Sequence, residues 1–298
     1  MPPKSDIIYV KAHFDDFSCA FNPGRKEDNM GKIIAVANQK GGVGKSTTVV
    51  NVAAYLGSRG FKVLCVDSDP QGNTTTGFGI KKKSVNSTTY DIIIGKKRIQ
   101  EAALETEFEN VSIVPATEDL AGCEIELADN DNRLNRLKMQ LLTCKDSYDY
   151  IFIDCPPALG TITINSLVAA DSIIVPMLAE FFALEGLSQL VNSIKAVKNN
   201  YNPSLEIEGI VFTMFDGRLN VANDVVSEVE KYFPDKVFKT KIPRNVRISE
   251  APSHGKPVMY YDKASKGAES YELLCHELLG EPLELPKKKK LFSFKRKK

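Results

Sequence analysis

Residues 39–47 read Gln39-Lys40-Gly41-Gly42-Val43-Gly44-Lys45-Ser46-Thr47. A short apolar run, residues 33–37, precedes them, and a helical pattern, residues 47–57, follows. Three glycines in four positions let successive backbone N–H groups turn inward without Cβ clashes. The helix start adds its partial positive charge to the same point. Such a loop works as a phosphate cradle only between a strand and a helix, so it commits the chain to an α/β layout. Lys45 is then placed to reach the β- and γ-phosphates of a nucleotide, and the Ser46 hydroxyl to sit on its Mg²⁺. ATP and Mg²⁺ are the expected ligands.

The rest of the chain supports that layout. Strand-like runs fall at residues 62–66, 111–114, 150–153, 172–175, 207–212 and 237–240, with helical patterns such as 185–198 and 221–232 between several of them. Nearly continuous β-branched runs alternating with helices predict a mostly parallel sheet with helices on both faces. The chain has 298 residues, 43% of them hydrophobic, enough apolar material for a full core. The organisation expected is a poorly ordered extension over residues 1–29, an ATPase domain over 30–280 and a basic tail over 281–298. Met30 would make a natural start just before the first strand.

Two further segments place carboxylates where parallel sheets hold their ligands, at the C-terminal ends of strands. Asp67-Ser68-Asp69-Pro70-Gln71-Gly72-Asn73 follows the second run, and Asp154-Cys155-Pro156-Pro157 follows residues 150–153. An acidic residue ending a buried strand is costly unless it is paired or serves a metal. Asp154 therefore reads as the carboxylate that holds Mg²⁺ through water.

The loop departs from the ordinary pattern: Gln39 stands where a first glycine is usual, and a second lysine, Lys40, follows it. Lys-Gly-Gly-x-Gly-Lys-Ser/Thr resembles the deviant-Walker group of P-loop NTPases, which includes the ParA and MinD types. Further segments resemble the ParA/Soj branch across residues 30–280: Asp69–Asn73, residues 113–117, Asp154–Pro157, residues 182–186, and residues 242–252. The resemblance implies an ATP-bound homodimer that binds DNA nonspecifically, with a ParB-like protein stimulating hydrolysis and release. It implies that Lys40 reaches the partner's phosphates, and that Asp69 positions or activates the attacking water. Lys40, Lys45 and Asp69 are thus the catalytic candidates, and Lys40, Gly41, Gly42, Val43, Gly44, Lys45, Ser46 and Thr47 the nucleotide-binding loop. Ser46 and Asp154 are the metal candidates, Met214 and Pro243 are placed near the adenine, and Arg218 and Arg247 are the DNA-contacting candidates.

Charge fits a localised rather than a general affinity for polyanions. The net charge of +1 divides into +6 over residues 281–298, −1 over 1–29 and −4 over the body. A mildly acidic body binds nucleic acid only through a local basic patch or through the tail. The tail, Lys287 to Lys298, is basic with aromatics interleaved and suits DNA, an anionic membrane surface or a solvated end with no partner. Six scattered cysteines with no CxxC pair read as reduced thiols. A cytoplasmic, nucleoid-associated protein is expected. The rivals are a MinD-like membrane-cycling ATPase, with membrane contact the less favoured partner, and a metabolic ligase or reductase on the same fold.

Overall fold

In the computed structural model, which describes residues 31–283, the strand that leads into the glycine loop is β1 (Lys32–Val36), an inner strand of the sheet. Its side chains alternate between two apolar layers. Ile33 and Ala35 face one, and Ile34 and Val36 face the other. Both faces are thus covered, as the unbroken apolar runs require. The strands are β1, β2 (Val63–Asp67), β3 (Leu104–Glu105), β4 (Val111–Val114), β5 (Tyr150–Asp154), β6 (Ser172–Leu178) and β7 (Glu206–Thr213). Their order is β3-β4-β2-β5-β1-β6-β7, all pairings parallel except β3 with β4. The mostly parallel sheet with helices on both faces is the predicted fold class.

The helices that matter for the site are α1 (Lys45–Ser58), α2 (Asn73–Gly77), α3 (Ala183–Asn200), α4 (Asn220–Tyr232), α5 (Val246–Glu250) and α6 (Lys266–Leu278). Val49, Val52, Ala53 and Leu56 of α1 and Tyr271 and Leu274 of α6 bury against one face. Leu187, Leu190, Val191 and Ile194 of α3 cover the other. Order matters more than inventory here. With β1 between β5 and β6 and with β2 beside β5, the C-terminal ends of β1, β5 and β2 lie in a row. Asp67 and Asp154 are direct register partners on β2 and β5, and Asp154 is in turn opposite Val36.

One expected strand does not form. Residues 237–240 make a single bridge, Ile210 to Val237. Phe238 N still donates to Ile210 O at 2.9 Å, but the two donors after it turn away: Lys239 N and Thr240 N donate to the Glu277 carboxylate on α6, at 2.6 and 3.0 Å. A side chain has taken the hydrogen bonds a ladder would need. The expected extension over residues 1–29 and the tail from residue 284 onward lie outside the described residues.

Candidate nucleotide site

The loop after β1 folds as its glycines dictate. Gly42 and Gly44 have φ of +71° and +87°, which L side chains rarely adopt. A Cβ on Gly41 or Gly42 would meet no protein atom within 4 Å, so the two glycines border open space. They line a cavity of 430 Å³ together with Lys45, Ser46, Thr47 and Asp69. The Lys45 ammonium bridges the loop from inside, donating to the Lys40 carbonyl at 3.3 Å. Burial pushes Lys45 below its ordinary range, while Asp154, Cys155 and Asp69 pull it back up. The charged form is therefore disfavoured at this site, and an anion bound beside it would restore it.

The carboxylates divide their tasks. Asp154 is fully buried. Its Oδ2 accepts from the Thr74 hydroxyl at 2.7 Å, and its Oδ1 finds no hydrogen-bond partner among the described residues. Burial raises the affinity of Asp154 for a proton, the neighbouring Asp67 raises it further, and the hydroxyls of Ser46 and Thr74 oppose both. A buried, orphaned carboxylate oxygen beside the Ser46 hydroxyl is a costly arrangement on its own and a sensible one for a hard divalent cation with oxygen ligands. The residues therefore fit Mg²⁺. Asp69, 6% exposed, lines the cavity, and its Oδ1 accepts from Gln71 N at 2.9 Å.

Lys40 is placed differently. Its Nζ pairs with Glu180 Oε2 at 2.5 Å, beside a second cavity of 340 Å³ lined by Gln39, Phe182 and Gln189 among others, and it does not line the first. The two lysines of the loop thus face opposite ways. Val43 is buried, and its carbonyl accepts from the Thr213 hydroxyl at 2.8 Å.

Met214 borders the phosphate cavity with a φ of +48°, a left-handed conformation that is strained for a non-glycine residue. Pro243 does not line it. Pro243 bridges to Phe215, and the wall at that end is made by Ala251, Pro252 and Lys256 instead. No local spacing could have announced those three, since the link that brings their segment in is Asn51 Oδ1 accepting from Val258 N at 2.7 Å, across 207 residues.

The Phe215–Pro243 bridge joins the segments that carry Arg218 and Arg247. Both are ion-paired. Arg218, whose side chain is 89% exposed, holds Asp216 through two nitrogens at 2.6 and 2.8 Å. Arg247 pairs with Glu250 at 2.8 Å and Asp262 at 3.2 Å. Arg218 and its backbone N–H hold Asp216 down to about 2. Among the described residues no helix is long and apolar enough to cross a membrane.

A strand, a glycine loop and a helix within a parallel sheet, with two acidic strand ends side by side next to them, define a P-loop NTPase. Residues 31–207 match the AAA domain family. Soj, the sporulation initiation inhibitor protein of Bacillus subtilis, is 53% identical over 84% of this chain and 98% of its own length. The chromosome partitioning protein ParA of Myxococcus xanthus is 51% identical over 84% and 88%. A cobyrinic acid a,c-diamide synthase from Mycobacterium smegmatis, solved with an ATP analogue and magnesium, superposes with a TM-score of 0.75 at 34% identity, covering 84% of this chain and 94% of that one. The chain belongs to the ParA/Soj family of partitioning ATPases.

Proposed function

We propose that this protein is a Mg²⁺-dependent ATPase switch for DNA partitioning, working in the cytoplasm on the nucleoid. One observation carries the reading: Lys45, Ser46 and Asp69 line one cavity, with the buried Asp154 and its orphaned oxygen beside the Ser46 hydroxyl, while the loop's second lysine pairs with Glu180 instead. In this reading ATP fills the cavity with its phosphates on residues 40–47, and Lys45 offsets the charge of the β- and γ-phosphates. Ser46 and Asp154 hold Mg²⁺, which when bound neutralises charge on the phosphate oxygens. Asp69 orients the attacking water. Two ATP-loaded chains meet face to face, and Lys40 leaves Glu180 to reach the partner's phosphates. The dimer binds DNA without sequence preference, and a ParB-like partner accelerates hydrolysis and so release. The metabolic rival draws support from the synthase above, but the partitioning proteins are 51–53% identical to this chain against 34% for that enzyme.

Lys40 tests the sandwich. Lys40→Ala and Lys40→Gln should keep ATP binding by the monomer, since the phosphate cavity does not include this side chain, and should lose ATP-dependent dimerisation. Analytical ultracentrifugation with and without ATP decides it. Equal dimer formation by mutant and wild type would leave Lys40 a surface lysine paired to Glu180.

The arginines test the DNA face. Phosphate contacts carry no base information, so Arg218→Ala and Arg247→Ala should each weaken binding to all duplex sequences alike. Each lost contact flattens the log–log salt slope by about 0.9, doubled by the two-fold symmetry of a dimer. Basal ATPase should survive. The reading must also absorb the existing ion pairs: each guanidinium has to share or exchange its carboxylate for phosphate. Removal of residues 287–298 is the control. If that truncation abolishes DNA binding while both arginine variants retain it, the tail is the DNA element. Binding to anionic liposomes instead of DNA would favour the membrane-cycling rival.

A further inference from the structure

The two buried strand-end carboxylates are not equivalent, and the difference assigns a task to a threonine. Asp154 keeps one oxygen without a partner, whereas Asp67, its register partner, has both oxygens occupied. Asp67 Oδ1 accepts from Asp69 N at 3.2 Å. Asp67 Oδ2 accepts from Thr75 N at 2.8 Å and from the Thr75 hydroxyl at 2.7 Å. The same hydroxyl accepts from Ala116 N at 3.0 Å, just past β4. The Thr89 hydroxyl closes the arrangement from a third segment by donating to the Asp67 carbonyl at 2.6 Å. All of these groups are buried.

We propose that Thr75 is a positioning residue for hydrolysis: it fixes Asp67, and Asp67 fixes the backbone from which Asp69 faces the phosphate cavity. This rests on the reading of Asp69 as the group that orients water. Three protein donors already occupy Asp67, two of them on Oδ2, so its place in the Asp-x-Asp pattern is that of a post rather than of a ligand. Among the described residues the Thr75 hydroxyl is the one side-chain donor on Asp67 Oδ2, and it ties the ends of β2 and β4 to α2. Nothing in this chain of contacts touches the loop of residues 40–47. Losing the hydroxyl should therefore displace Asp69 without loosening ATP. A carboxylate displaced by a fraction of an ångström still leaves the nucleotide bound, but the water loses its alignment.

Thr75→Val removes the hydroxyl at nearly constant volume, and Thr75→Ser restores it. ATP affinity is read by fluorescent-nucleotide titration, turnover by single-turnover phosphate release, and folding by thermal melting, with Asp69→Ala as reference. Thr75→Val should cut turnover on the order of tenfold or more, the loss expected of a misplaced catalytic group. Its ATP affinity should match wild type, and Thr75→Ser should recover most of the rate. If Thr75→Val does not fold, Asp67→Asn carries the same expectation, because its amide nitrogen would face a donor in place of an acceptor. Wild-type turnover in Thr75→Val overturns the proposal. So does a joint loss of ATP affinity and turnover that serine fails to rescue, which marks a structural role only. Wild-type turnover in Asp69→Ala defeats the reading of Asp69 itself, a result separable from failure of the threonine alone.

Discussion

Lys45→Ala should abolish ATP binding at micromolar nucleotide. The ammonium lies inside the loop and lines the cavity where the phosphates are proposed to sit. Charge-assisted hydrogen bonds are worth about 1.5–3 kcal/mol each. Losing contacts to two phosphoryl groups therefore weakens binding by roughly a hundredfold or more. The loss is compounded because Asp69 and Asp154 would then face a polyanion with no cation between them. Folding should not suffer. Burial lowers the Lys45 pKa against the pull of the nearby carboxylates, so the charged form is disfavoured in the folded chain relative to the unfolded one. The nucleotide-free protein thus carries the buried ammonium at a net cost. Lys45→Met, which keeps the packing of the stem, should melt no lower than wild type. Calorimetric titration with ATP and a melting curve check both halves. An unchanged ATP affinity in Lys45→Ala would remove the phosphate assignment of the loop.

How far such a site can be read from the chain depends on whether its parts are local. The loop and the two acidic strand ends were legible because each is a short segment whose chemistry depends on its neighbours in sequence. Central strands were legible for a related reason. Residues buried on both faces leave unbroken apolar runs, and the expected run at 111–114 coincides with β4. The others agree to within a few residues, as at 33–37 against Lys32–Val36. What stayed hidden is what tertiary contact decides. Residues 237–240 look like a strand, yet Glu277 on α6 takes the N–H groups of Lys239 and Thr240. Leu104–Glu105 is too short to show any pattern, and it exists as a strand only because β4 offers it an edge. Ala251, Pro252 and Lys256 line the cavity from a segment that a hydrogen bond across the molecule holds in place, while Pro243 bridges to Phe215 and does not line it. Thr74 and Thr75 look like ordinary residues at a helix start. Only the pairing of β2 with β5 shows that each hydroxyl meets a different buried carboxylate.

Asp69 separates binding from turnover, and two substitutions separate its charge from its geometry. Asp69→Ala should bind ATP normally, because the side chain is no part of the loop and a carboxylate beside phosphates does not favour their binding. Hydrolysis should fall by roughly 10²–10⁴, the usual worth of a positioned general acid or base. With turnover gone and nucleotide retained, the proposed ATP dimer persists. Sizing chromatography with ATP and Mg²⁺ should show a stable dimer, and DNA complexes should outlast those of wild type. The alternative is that Asp69 matters only as a turn former, since its Oδ1 accepts from Gln71 N at 2.9 Å ahead of the glycine that begins α2. Asp69→Asn tests this directly. The amide oxygen can keep the bond to Gln71 N, so the turn survives while the charge and the basicity are lost. If the carboxylate orients water, the asparagine variant is as inactive as the alanine variant and equally trapped. If the asparagine variant turns over ATP at the wild-type rate while the alanine variant does not, the turn was the function and the water-activating group lies elsewhere. A monomeric Asp69→Ala in ATP would break the link between stalled hydrolysis and a lasting dimer on which the switch depends.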